Sequence, residues 1–179
     1  MLVVAVVGLA RSGKDTVAGV LVRDYNFEHF DFFRDVIIPI LKDQELKPTK
    51  ANAVRVGNEM RAKFGMGVFG EKMVQKVSGL EKVVVTGARS LEELKHLEEH
   101  TSNFHIVLVE APKKNRFSRR SEIDPPGEKA FFGRDSNDLE KKGLAQVIRV
   151  ADYKIENSGS LKELAEQVRS LTEKILAKH

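Results

Sequence analysis

Cysteine is absent from this sequence. Its absence removes disulfides, thiolate nucleophiles and cysteine-ligated metal sites in one step, and it points to the cytosol as the compartment. Long apolar runs are missing too. A membrane-spanning helix needs about 20 apolar residues, whereas the opening run Leu2-Val3-Val4-Ala5-Val6-Val7 holds six. That run has no basic leader and no small-residue cleavage pattern, so it reads as a buried strand and not as a signal peptide. A dense basic patch is also lacking. The net charge of +4 is the difference between 30 bases and 26 acids, and Lys and Arg are interspersed with Glu. Such mixing describes a solvated surface, and a nucleic-acid partner is not expected. Of five histidines (His29, His96, His100, His105 and His179), only His96 and His100 stand four apart. They fall near a helix C-terminus, which favours cations, and a zinc site is not indicated.

What is present suits a single α/β domain: 179 residues, 41% hydrophobic and 31% charged. Apolar runs alternate with helical patterns, the signature of a parallel sheet wrapped by helices. Strands are expected at Leu2 to Val7, Phe27 to Phe30, Val83 to Val85, Phe104 to Val109 and Tyr153 to Asn157. Residues 34 to 75 read as helical, with breaks at Pro39, Pro48, Gly65, Gly67 and Gly70. Ser90-Leu91-Glu92-Glu93 carries a capping-box pattern. Residues 113 to 142 are charged, contain Pro125-Pro126-Gly127 and read as a mobile excursion. The terminal helix presents Leu161, Leu164, Ala165, Val168, Leu171, Ile175 and Leu176 as one stripe.

One motif carries chemistry. Gly8-Leu9-Ala10-Arg11-Ser12-Gly13-Lys14 lies between a buried strand and a helix, the context that a phosphate-binding loop requires. Its glycines let successive N–H groups converge, the helix N-terminus adds its dipole, and Lys14 reaches the β- and γ-phosphates of a nucleoside triphosphate. The ATP-binding residues expected here are Gly8, Ala10, Arg11, Ser12, Gly13, Lys14, Asp15 and Thr16. The usual loop continues with Ser or Thr after the lysine. Here Asp15 and Thr16 follow, and magnesium is expected with ATP, supported by Asp15 or Thr16.

Phosphoryl transfer also needs cations around the moving group. Arg116, Arg119 and Arg120 stand at the entrance of the charged excursion and Arg134 near its exit. Of these, Arg116 and Arg120 join Lys14 as candidate catalytic residues. Asp31, Arg34, Arg61 and Arg89 lie where an acceptor is held, near the carboxyl ends of strands or on the following helix. Each of these arginines also reads as an ordinary surface residue.

With those residues in hand, the chain resembles the small P-loop nucleotide kinases. Gly13-Lys14-Asp15-Thr16-Val17-Ala18 resembles the loop of phage-type deoxynucleoside monophosphate kinases. Ala151-Asp152-Tyr153-Lys154-Ile155-Glu156-Asn157-Ser158-Gly159-Ser160-Leu161 resembles the closing motif of dephospho-CoA kinases and of an archaeal adenylate-kinase-related family. The order of elements, including Val85-Thr86-Gly87-Ala88-Arg89-Ser90, is similar to that archaeal family along essentially the whole chain. The resemblance implies a three-layer α/β/α P-loop fold with about five parallel strands in the order 2-3-1-4-5. It implies a helical acceptor region at about 31–78, a lid at about 113–142, and an adenine-side role for Asn157 to Ser160, with Asn157 and Gly159 as ATP-binding residues. The archaeal family usually holds an Asp that supports magnesium at the position of Thr86, and this sequence lacks it. Three activities stay open: a nucleoside monophosphate kinase, a dephospho-CoA kinase-like enzyme with Asp31 as base for a hydroxyl acceptor, and an ATP-binding or ATP-hydrolysing regulator.

Overall fold

Strand β1 (Leu2–Val7) consists of Leu, Val and Ala alone and is buried at every residue. It offers no polar face to water, so it must be covered on both sides and both edges. The computed structural model, which describes residues 1–179 except Ile123, Lys142 and His179 and leaves out the side chains of Lys50 and Lys141, does that. His179 and the far end of the expected lid, Lys142, therefore lie outside the described residues. β1 pairs in parallel with β3 (Lys82–Thr86) and β4 (Asn103–Glu110), so that Val4 stands between Val84 and His105. β2 (Glu28–Asp31) and β5 (Tyr153–Glu156) add parallel outer strands, giving the order β2-β3-β1-β4-β5. This is the expected 2-3-1-4-5 arrangement.

Helices cover both faces. On one face, α1 (Lys14–Tyr25) and α9 (Leu161–Leu176) pack Val17, Leu21, Leu164, Val168 and Ile175 against Val4, Val6 and Val84. Leu161 is 73% exposed, so the helix stripe begins at Leu164. On the other face, α4 (Val68–Val77), α5 (Leu91–Glu99) and α8 (Leu144–Arg149) bring Phe69, Met73, Leu94, Leu97 and Val147 onto Val3, Ala5 and Val7. Three layers result.

Between β2 and α4, a π-helical turn (Phe32–Ile37) leads into α2 (Ile38–Asp43) and α3 (Lys50–Phe64). Pro39 opens α2 instead of breaking it, because the first turn needs no proline N–H. Gly70 does not interrupt its helix either. It lies inside α4, where a Cβ would stand 2.3 Å from the Glu93 carbonyl oxygen, so it permits α4 to sit closely on α5. The expected capping box at Ser90 is present, with Glu93 as its partner. The charged excursion holds α6 (Lys113–Ser118) and α7 (Glu128–Ser136) and has its own small centre. Phe131 is fully buried, with the Phe117 ring 5.5 Å away edge-on.

Candidate functional site

The loop after β1 is shaped by what its neighbours exclude. Gly8 has φ 146°, and a Cβ there would lie 2.3 Å from the Val109 carbonyl oxygen. Gly13 has φ 105°, and its Cβ would lie 2.2 Å from Asn157 Nδ2. Only glycine satisfies either position. Arg11 holds φ 63°, a left-handed conformation that costs a non-glycine residue about 1–3 kcal/mol. No side chain caps α1, so its first-turn amides are left for an anion. Ser12 Oγ is buried without a hydrogen-bond partner among the described residues, which suits a loop shaped around a ligand oxygen.

Lys14 closes this ring. Its Nζ donates to the carbonyl oxygens of Gly8 (2.8 Å) and Leu9 (2.9 Å). Burial lowers its pKa to about 8, against the opposing pull of Asp15; Arg89 lowers it further, and Asp138 and Asp31 raise it. Asp15 and Thr16 are exposed in the first turn of α1. A hydroxyl and a carboxylate are hard oxygen donors, and magnesium needs only one or two such protein ligands beside phosphates and water. That pair fits the ion, although no group of three potential ligands is assembled among the described residues.

A cavity of about 400 Å³ opens beside the loop, lined by Leu9, Ser12, Val109, Pro112, Arg116 and Ser158 among others. Its walls are mostly apolar, as those of small-molecule sites usually are. Asn157 is not among the lining residues. It is 4% exposed, its N–H donates to Glu110 O (2.7 Å) and its Nδ2 to Ser12 O (2.8 Å), so it braces the loop from behind. Gly159 makes room for the α9 capping box, since a Cβ would meet Glu163 Oε2 at 2.2 Å. From this segment Ser158 reaches the cavity.

The excursion touches the loop at its apex. Arg116 is 2% exposed; its guanidinium donates to Ala10 O (3.1 Å) and forks onto Asp135 (2.6 and 3.1 Å). Arg11 donates to Asp124 (2.6 Å), whose other oxygen accepts from Arg134 (2.6 Å). Burial pushes the Asp124 carboxyl up, but the Ser121 amide, Arg134 and Arg11 outweigh it and hold the pKa at about 2. Arg119 donates to the Asn157 backbone and side-chain oxygens (3.2 Å each). Arg120 lies away from the loop, exposed and stacked on Phe117 at 4.0 Å. The structure thus brings Arg11, Arg116, Arg119 and Arg134 together and leaves Arg120 outside.

The acceptor candidates divide similarly. Asp31 ends β2 beside Thr86 in the sheet register. Its Oδ1 accepts from the amides of Phe33 and Arg34 (3.0 Å each) and its Oδ2 from the Thr86 hydroxyl (2.9 Å). Since that hydroxyl gives its one proton to Asp31, His29 Nε2, 2.9 Å from Thr86 Oγ1, is the donor to Thr86. Burial and then Arg34 lower the His29 pKa, favouring the neutral ring. Arg34 forks onto Asp35. Arg61 is bound to Glu93 at 2.7 Å and lies over the Phe69 ring. Arg89 is 3.5 Å from Asp138 and nearly half exposed. Asp35, Glu93, Asp124, Asp135, Asp138 and His29 were not legible as site residues. The only sequence signal was the alternation of Arg with Asp between 116 and 138.

Fold and loop together define a three-layer α/β/α P-loop fold. The chain belongs to the UPF0200 family: it is 30% identical to a UPF0200 protein of Aeropyrum pernix over 171 residues, 94% of this chain and 90% of that one. A UPF0200 protein of Pyrobaculum aerophilum is 33% identical over 172 residues, covering 93% and 94%. No protein-family model matches. Among solved structures, shikimate kinase from Aquifex aeolicus superposes with a TM-score of 0.60 at 18% identity, covering 96% of both chains. A gluconokinase from Sinorhizobium meliloti gives 0.60 at 13%, covering 99% of this chain and 97% of that one. These likenesses concern the fold. No helix among the described residues is long and apolar enough to cross a membrane.

Proposed function

We propose that this protein transfers the γ-phosphoryl group of ATP to a small, nucleotide-like acceptor. The observation that carries the reading is the ring formed by Gly8, Gly13 and Lys14, with the buried Ser12 hydroxyl beside it left without a hydrogen-bond partner among the described residues. The base of ATP would occupy the apolar cavity beside Leu9 and Ser158, and its phosphates would take over the Lys14 amine from the two loop carbonyls. Asp15 or Thr16 would hold magnesium, which would neutralise phosphate charge. The excursion at 113–142, which Arg11, Arg116 and Arg134 tie to the loop, would close over the phosphates as a lid and exclude water.

ADP release from MgATP, alone and with a panel of nucleotides, nucleosides and small alcohols, tests this. Stimulation by one acceptor class supports the kinase. ATP turnover that no acceptor stimulates would instead support an ATP-hydrolysing regulator.

A further inference from the structure

The acceptor end of the site is poor in available positive charge. Arg61 is committed to Glu93, which is 2% exposed and also accepts from the backbone N–H groups of Arg89 and Ser90. Removing Arg61 from such a buried partner is strongly unfavourable, because it leaves a carboxylate uncompensated in the interior. The remaining guanidiniums are paired as well, Arg34 with Asp35 at 2.7 Å and Arg89 with Asp138 at 3.5 Å, and Asp15 and Asp31 add two more carboxylates to the electrostatic surroundings of Lys14. A phosphomonoester dianion entering here would meet more acid than base. One carboxylate, by contrast, is arranged as a proton acceptor should be. Asp31 Oδ2 is fixed by Thr86, Thr86 is fixed by His29, and Gly87 clears the approach, since a Cβ there would lie 2.7 Å from the same oxygen.

Resting on the kinase reading above, we infer that the acceptor is an alcohol and not a phosphomonoester, with Asp31 as its base and Thr86 and His29 as positioning residues. In the step, the acceptor oxygen forms a bond to the γ-phosphorus while the bond from that phosphorus to the β,γ-bridging oxygen breaks. The electron pair leaves with ADP, and the hydroxyl proton passes to the Asp31 carboxylate. Thr86 then serves the reaction by aiming the acid of the neighbouring strand.

Transfer from γ-labelled ATP to adenosine, thymidine, shikimate and gluconate should be compared with transfer to AMP and dTMP, with water as the minimal hydroxyl acceptor throughout. Asp31→Asn is expected to lower turnover by about 10²–10⁴-fold with MgATP affinity retained. Thr86→Val should lower kcat about tenfold at unchanged KM for ATP, and Thr86→Ser should restore it, which a merely structural role would not do. Turnover in Asp31→Asn within about twofold of the wild type, or conversion of AMP or dTMP to its diphosphate, overturns the inference and leaves the kinase intact. Failure of the wild type to bind MgATP, or indifference to Lys14→Ala, overturns the kinase reading instead.

Discussion

Asn157 Nδ2 donates to the Ser12 carbonyl oxygen across 2.8 Å, tying the end of β5 to a loop 145 residues earlier. The same nitrogen occupies the space a side chain at Gly13 would need. The loop's curvature is therefore maintained from outside as well as by its own glycines. Asn157→Ala removes the donor, and ATP affinity should fall about tenfold, the equivalent of one lost hydrogen bond. Asn157→Asp places a carboxylate against a carbonyl oxygen and should lose more. Titration calorimetry of both variants with MgATP checks the order; equal affinities in all three proteins would remove Asn157 from the site.

The Arg11–Asp124–Arg134 bridge joins the excursion to the loop apex. Asp124 is held at about 2, below its ordinary 3.8, so its contribution is complete above about pH 4 and is lost as the pH falls toward 2. Asp124→Asn should mimic that loss at neutral pH. The expected sign is faster proteolytic nicking within residues 113–142, with ATP suppressing it in the wild type.

Arg116 and Asp135 form a deeply buried ion pair within the excursion. Asp135→Asn leaves a guanidinium uncompensated and should cost about 3–5 kcal/mol. The double variant Arg116→Met with Asp135→Leu should cost less than that single change. Urea unfolding of the set measures both.

Lys14 has a pKa of about 8 in the folded chain against 10.5 ordinarily. Between those values the unfolded chain binds more protons, so stability should rise with pH from about 8 to 10.5. The full shift is worth about 3 kcal/mol. Lys14→Met should abolish that rise, visible as the difference between unfolding midpoints at about pH 7.5 and about pH 10.

Much of this was legible in the sequence for local reasons. Three apolar runs, the short segment Phe27 to Phe30 and the alternating segment Tyr153 to Asn157 marked the strands, Gly8 and Gly13 marked the loop between strand and helix, and Ser90 with Glu93 indicated a cap. The strand order and the archaeal kinship followed from the resemblance. What stayed hidden was pairing at a distance. Nothing near Arg61 indicates that Glu93, 32 residues on, will take its charge, and nothing near Asn157 points to Ser12. Asp31 and Thr86 meet only because β2 and β3 pair in a particular register, so their hydrogen bond cannot be read from either strand alone.

The central claim is that the ring around Lys14 binds a nucleoside triphosphate. Its most direct test is calorimetric titration of MgATP into the wild-type protein and into Lys14→Ala, with circular dichroism verifying that the variant is folded. One saturable site in the wild type, weakened about a hundredfold or more in the variant, is the predicted result. Equal affinity in the two proteins, or no binding to the wild type, would contradict it.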